Sequence, residues 1–513
     1  MCALAALLAL QAAWFGLTTS GTPDETTYLR AGLAIYQHGD FSALAEDGIA
    51  PLPVLLSYAA PALAGRAGYA QAIRLARVSA IVLIGIPLVV LVYVSLLRTS
   101  GRTIAATGAA LLALSPNIIA HSALAATDVC FVAAALAAAL ALARFVEAPT
   151  RARLVALYVA LAIALAAKYS AVALFPAAFV VLAVADADRR GFARIGHALA
   201  HVAVMAATSL LVVWALHGFA MAPARLAPLG STRVPAVIAG LISQALHQRG
   251  GHPAFLLGRR SSVGWWYYMP LALAVKSTSA ELVAIALGLA TLATGWRRAS
   301  ADTLVWSATM VVFTALTLVN RLGLGVRYGL LLVPLFLFLA LERWGRDVRG
   351  RALAGGCIAL VAMQAASAYA IAPHYLSYFN RWSGGPSAGY RYLADSNIDW
   401  GQDLPALRDT IAQAGGGRVL ISYFGNAPFT EYGMSVDLWD SNVQRDFQQW
   451  DWAAISVTHL DGLFVPADIF EPFRSVVPSA RAGYSIMIYS TKRDEVRAAM
   501  GDVARRWRAA LKP

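Results

Sequence analysis

Charge is what this 513-residue chain has least of: 13% of its residues are Asp, Glu, Lys or Arg, where a soluble domain carries about 25%. Cysteine is nearly absent. Cys2, Cys130 and Cys357 each stand in an apolar stretch, and none falls in the polar region after residue 373. A disulfide framework or a Cys-based zinc site is therefore excluded there. Acidic residues are the scarcer sign, 28 against 41 Lys and Arg, for a formal net charge of +13. With 59% hydrophobic residues and a mean hydropathy of +0.61, the chain is no soluble enzyme, disordered protein or secreted disulfide scaffold. It reads as a polytopic membrane protein.

The basic surplus has a location. Residues 373–513 hold 14 basic and 15 acidic groups, leaving 27 of the 41 basic and 13 of the 28 acidic groups in residues 1–372. A nucleic-acid patch belongs on the polar part, which is balanced, so the sequence implies no nucleic-acid partner. Apolar segments near 1–18, 74–97, 103–121, 127–146, 154–168, 171–185, 197–217, 279–296, 303–320, 327–342 and 352–372 predict about eleven transmembrane helices. The first lacks a basic n-region and reads as a retained span rather than a cleaved signal. Alternate loops carry Arg98 and Arg102; Arg144, Arg151 and Arg153; Arg189, Arg190 and Arg194; Arg297 and Arg298; and Arg343, Arg346, Arg349 and Arg351. By the positive-inside rule these loops are cytoplasmic. Loops 19–73 and 218–263, and everything after 373, are then external.

After 373 the composition is that of a folded polar domain. Stretches 418–425, 452–460 and 484–491 read as short buried strands. Residues 403–417 read as a helix ended by glycines, and 493–511 as a basic amphipathic helix with Arg505, Arg506, Arg508 and Lys512, suited equally to anionic lipid or to solvent. The expectation is an external α/β domain over 373–513 beside a membrane domain over 1–372.

Ionisable residues near membrane depth are costly and mark function by default. Here they fall at the external ends of spans: Asp24 and Glu25, Asp128, Lys168 in "AAKYS", Lys276 and Glu281, and Arg327 with Tyr328. Taken singly, each has a bland reading as a helix cap or a snorkelling anchor. Together, acids and bases at one depth suit transfer of a sugar from a lipid phosphate. A base takes the proton of the attacking hydroxyl, and cations stabilise the departing phosphate. Asp24 is the natural base and Glu25 its helper. Lys168, Tyr169, Lys276, Arg327 and Tyr328 form the phosphate cradle.

The acidic pair followed by "APLP", then "AATD" (125–128), "AAKYS" (166–170), "GWWYYMPLALAVKS" (264–277), "GVRYGLLLVP" (325–334), the block 375–404 and "SYFGNAPFTEYG" (422–433) resemble the GT-C membrane glycosyltransferases. Within them the likeness is to glycosyltransferase family 39: the protein O-mannosyltransferases, the aminoarabinose lipid A transferases and a bacterial branch of relatives. The resemblance implies a mainly α, GT-C-type polytopic bundle with a C-terminal external α/β domain. It implies an inverting transferase in the bacterial inner membrane, with a polyprenyl-phosphate sugar as donor and a periplasmic glycan, lipid or protein as acceptor. By motif position Asp24 matches the catalytic aspartate, Glu25 its partner, and Asp128 a second acidic position. A polytopic transporter or lipid-linked sugar flippase is the alternative.

The family's His-Pro-Pro motif reads Ala50-Pro51-Leu52-Pro53 here, so a histidine is missing; His121 is a candidate to compensate, but a helix-end histidine is more often structural. No cofactor is certain, and a divalent metal ion, with Asp24 and Asp128 as candidate ligands, stays open. Asp395, Asn397 and Asp399 resemble the start of a calcium loop, but Trp400 and Ala406 stand where it needs Gly and Glu. If helical, Asp395, Asp399 and Asp403 share one face, suited first to the domain–membrane junction, then to an acceptor, then to a metal. The "GWWYYMP" aromatics read as an interfacial belt, with sugar stacking as the sharper alternative.

Overall fold

The computed structural model describes residues 1–65, 67–185, 191–226, 230–294, 300–439 and 447–510. Arg189, Arg190, Arg297, Arg298 and Lys512 lie outside the described residues. Each of the apolar segments expected to span is mainly helical in its described residues. Among the described residues, five helices are by length and composition alone long and apolar enough to cross a membrane: Tyr69–Ala113, Thr127–Glu147, Gly191–Leu216, Ala301–Val319 and Gly350–Ile371. A sixth results if the pair Cys2–Thr18 and Pro23–His38, bent by 92°, counts as one. Tyr69–Ala113 joins two expected spans, and Gly101 (φ 80°, ψ 178°) breaks it between them.

Other apolar helices are shorter in their described residues. Leu332–Asp347 is preceded by a 3-10 turn at Val326–Gly329, and Leu174–Ala185 by one at Tyr169–Ala173. Irregular backbone at membrane depth persists where it is buried in protein or lines a cavity. The segment 103–121 is likewise split, by Ser115 and Pro116, into the end of the long helix and Pro116–Ala123.

Alanine dominates the closest helix contacts, since a small side chain lets backbones approach. Ala135, Ala138 and Ala143 of one helix and Ala164, Ala166 and Ala167 of the next are all buried. Two opposite ends emerge. Arg98 pairs with Glu147 at 2.8 Å and Asp302 at 3.4 Å, gathering the arginine-rich loops at one end. Asp128, Lys168, Arg327 and Asp24 meet at the other.

At that second end the chain adds two hairpins, β1 (Met221–Leu226) with β2 (Gly230–Pro235) and β3 (Ala254–Leu256) with β4 (Arg259–Ser261). The small sheet domain follows. Its five strands are β5 (Val419–Ser422), β6 (Asp437–Leu438), β7 (Trp452–Ser456), β8 (Ala480–Ala482) and β9 (Ile486–Ser490), in the order β6-β5-β7-β9-β8. β5 runs parallel to β6 and β7; β9 is antiparallel to β7 and β8. The runs read as strands are β5, β7 and β9, each with a mostly buried backbone stretch. Helices Leu404–Gln413 and Asp494–Ala510 stand where the sequence places them.

Between membrane helices and sheet lies an irregular strap, 373–403. Asn380 Nδ2 donates to Ala274 O (2.6 Å) and Ser277 O (3.0 Å), and Ser20 Oγ donates to Gly401 O (2.7 Å). These bonds hold the sheet domain against the helix ends and set the roof of the site.

Candidate functional site

The site begins with a helix cap. In Thr22-Pro23-Asp24-Glu25, Thr22 Oγ1 accepts from Glu25 N–H, and Glu25 Oε2 accepts from Thr22 N–H at 2.9 Å: a capping box with Pro23 in the first turn. The cap turns the chain away from the first helix and sets Asp24 at the rim of a cavity. Asp24 keeps 28% of its side chain exposed, and its Oδ2 accepts from Arg327 Nη1 at 2.7 Å.

Arg327 rides on the 3-10 turn Val326–Gly329. Gly325 before it has φ 130°, and a Cβ there would lie 2.7 Å from Ser396 Oγ, so glycine lets the turn press against the strap. Asn397 Oδ1 accepts from Val326 N–H at 2.9 Å and fixes the turn from the other side. The guanidinium lies 4.3 Å from the Trp400 ring centre, a cation–π contact. Its Nη1 is also 3.6 Å from Asp128 Oδ2. Asp128, in the first turn of its helix, accepts from Lys168 Nζ at 2.5 Å, and Lys168 lies 4.3 Å from the Tyr328 ring centre. Four chain-distant elements thus supply a network of two acids and two cations.

The cluster borders a cavity of about 910 Å³ lined by Asp24, Tyr28, Lys168, Tyr169, Arg327, Tyr328, Asp395 and Trp400. One wall is apolar, with Phe131, Val172, Leu241, Phe313 and Leu316. The sheet domain supplies the roof, including Tyr423, Phe424, Asn426, His459 and Phe464. Burial pushes the Asp395 carboxyl up to about 6, although Arg327 opposes the shift. The buried Tyr169 hydroxyl has no hydrogen-bond partner among the described residues.

Of the expected residues, Asp24, Lys168, Tyr169, Arg327, Tyr328 and Asp395 line this cavity, with Asp128 directly behind it. Others stand elsewhere. Glu25 is fully buried and turned toward Arg77, accepting from Nε at 2.8 Å and Nη2 at 2.7 Å, and from Ala125 N–H at 3.1 Å. Lys276, expected on the phosphate, is buried and donates to the carbonyls of Leu376 (2.8 Å) and Asn397 (2.5 Å). It binds the strap instead of facing the cavity.

The shared helical face of Asp395, Asp399 and Asp403 is corrected by a 3-10 turn at Asp395–Asn397 and φ 56° at Asp395. Asp399 Oδ2 accepts from Thr458 N–H at 3.0 Å, and Asp403 Oδ2 accepts from Ser485 Oγ at 2.8 Å. Both point into the sheet domain. Burial raises Asp399 to about 7. His121 is buried, 6.1 Å from the Trp400 ring. Among the described residues no group of three or more His, Cys, Asp or Glu side chains is placed to hold a metal ion. Of the aromatic run, Trp266 is exposed, whereas Tyr268 is buried and accepts from Asn397 Nδ2 at 3.0 Å.

The sequence reading missed Arg77, whose signal was a charge within an apolar run. It also missed the roof residues, for which no local signal exists.

The fold these elements build is that of the GT-C membrane glycosyltransferases, in a multi-pass membrane protein. Residues 62–214 match the model of the family described as dolichyl-phosphate-mannose-protein mannosyltransferase. The chain is similar to the solved structure of ArnT from Cupriavidus metallidurans bound to undecaprenyl phosphate: TM-score 0.51 and 15% identity over 95% of this chain and 97% of that one. The apo structure of the same ArnT matches with TM-score 0.50, 15% identity and the same coverage. No curated protein matches the sequence. The family resemblance read from the motifs is borne out.

Proposed function

We propose that this chain is an inverting glycosyltransferase that moves a sugar from a polyprenyl-phosphate donor to an acceptor hydroxyl at the periplasmic face of a bacterial inner membrane, with the sheet domain in the periplasm. The observation that carries the reading is the Asp24–Arg327–Asp128–Lys168 network on a cavity between apolar helices and a polar roof. A donor with its chain against Phe131, Val172 and Phe313 brings its phosphate to Lys168 and Arg327. Tyr169 and Tyr328 border the same space. Asp128 holds both cations in place.

Asp24 then releases Arg327 to the phosphate and accepts the proton of the acceptor hydroxyl. The acceptor oxygen bonds to the anomeric carbon as the carbon–oxygen bond to phosphate breaks. The electron pair leaves with the phosphate, whose growing charge the two cations stabilise. Glu25, through the cap, and Lys276, through the strap, position this machinery.

The arginine loops at the opposite end support the orientation. The transporter reading is disfavoured, because transporters place such charges near the midplane. Purified protein incubated with polyprenyl-phosphate sugars tests the proposal. Transfer or slow donor hydrolysis is expected, falling about 10²–10⁴-fold in Asp24→Asn. Substrate counterflow in liposomes without bond cleavage, or an unimpaired Asp24→Asn protein, would sink it.

A further inference from the structure

Phe464 combines three features that do not belong to a packing residue. It is 43% exposed, it lines the cavity, and its backbone is held at φ 56°. A non-glycine residue in that region is strained and persists only where its surroundings enforce it. Here Asp468, itself at φ 52°, is gripped from two directions. Arg260 of β4 donates to it at 2.8 Å, and Arg474 donates from behind at 3.0 Å. The ring stacks on Phe424 with centroids 5.1 Å apart and planes at 18°, and His252 meets it edge-on at 5.4 Å. The result is a flat apolar platform, presented to the cavity rather than hidden.

The same cavity is lined by neutral hydrogen-bonders. Gln244 and Gln248 come from the helix Ala236–Gly250, Asn426 from the roof, and His459 is oriented by Ser422 Oγ at 2.8 Å. Burial holds the His459 imidazole down at about 4, so it is uncharged at neutral pH. Side-chain amides both donate and accept, which matches hydroxyl groups.

Charge decides against an anionic acceptor. Among the described lining residues Lys168 and Arg327 are the only Lys or Arg, and the donor phosphate engages both. Asp24, Asp47 and Asp395 line the same space, so a second phosphate would meet net negative potential. An extended peptide wants a free strand edge, yet the sheet edges β6 and β8 contribute no lining residue. The volume of about 910 Å³ is near the top of the range of about 300–1,000 Å³ for one small ligand, enough for a donor head group and an acceptor ring together.

We infer that the acceptor is a neutral carbohydrate, with a sugar face stacked on Phe464 and its hydroxyls bonded by the amides and imidazoles around it. The inference rests on the glycosyltransferase reading. In the step, an acceptor hydroxyl oxygen bonds to the donor anomeric carbon, the phosphate departs with the electron pair, and Asp24 takes the proton.

The test uses full-length protein in detergent with a panel of polyprenyl-phosphate hexoses and pentoses. Three acceptor pools are supplied: neutral oligosaccharides, the same saccharides carrying one phosphate, and Ser/Thr-containing peptides. The readout is the partition of donor turnover between transfer and hydrolysis. Transfer to the neutral pool is expected, with the transfer-to-hydrolysis ratio falling about tenfold in Phe464→Ala and returning in Phe464→Trp, a tenfold change being about 1.4 kcal/mol. Preferential transfer to phosphosaccharides or peptides overturns the inference and leaves the enzyme reading intact, as does a ratio unchanged in Phe464→Ala. Absence of both transfer and donor hydrolysis in the unmodified protein overturns both.

Discussion

Arg77 and Glu25, both fully buried, divide the acidic pair of the first loop into two functions. Arg77 donates to the carbonyls of Gly16 (2.6 Å), Thr19 (3.0 Å) and Ser20 (2.8 Å), which the end of the first helix leaves without partners. Glu25 balances its charge and reaches Ala125 across the bundle. Removing one member of a buried pair strands the other, at about 3–5 kcal/mol. Glu25→Gln should therefore lower the thermal midpoint of the purified protein by several degrees, and Asp24→Asn by less, since Arg327 keeps Asp128 nearby. A Glu25→Gln protein as stable as the parent but inactive would return Glu25 to the chemistry.

Asp399 gives a second prediction at this scale. Burial raises it in the folded state to about 7, against about 3.9 in an unfolded chain. Between those values the folded state keeps a proton that the unfolded state has lost. Stability therefore falls as pH rises from about 4 to about 7 and levels off above. Thermal midpoints measured across that window should decline in the parent and flatten in Asp399→Asn; identical slopes would refute the assignment.

At the scale of elements, two glycines separate geometry from activity. Gly325 has φ 130° and no room for a Cβ, whereas Gly101 has φ 80° in open space. Gly325→Ala should disturb the turn that carries Arg327 and reduce sugar transfer along with stability. Gly101→Ala should cost stability alone. Equal transfer rates in the two variants would argue against the turn as the device that aims Arg327.

Much at this scale was legible. The capping box is written in Thr22 to Glu25, the helical segments follow from hydropathy, and β5, β7 and β9 follow from short apolar runs. The strap was not legible. Its path follows bonds to Ala274, Ser277, Lys276 and Ser20, so no local periodicity records its shape. For that reason the one face that a helix would give Asp395, Asp399 and Asp403 is not formed, and a 3-10 turn stands at Asp395–Asn397 instead.

For the whole molecule, the proposed orientation predicts which surfaces face which compartment. Lys492 and Arg349 are both exposed, one in the sheet domain and one in an arginine-rich loop. In a Cys2→Ser background, Lys492→Cys should react with a membrane-impermeant maleimide in cells with a permeabilised outer membrane. Arg349→Cys should react only after the inner membrane is opened. Reversed labelling would invert the topology and place the cavity in the cytoplasm.

The sequence by itself determined the membrane class, the grouping of arginines in alternate loops, and the residue types needed to move a sugar from a lipid phosphate. These depend on composition, hydropathy and charge order, which are properties of the chain read in line. Only the tertiary structure decided which charges meet. It gave Arg327 to Asp24, Lys168 to Asp128, Glu25 to Arg77 and Lys276 to the strap, and it brought Phe464 from the far end of the chain to the cavity. Ion pairing and stacking are set by distances of a few ångströms between residues up to several hundred positions apart, and those distances exist only in the packed fold.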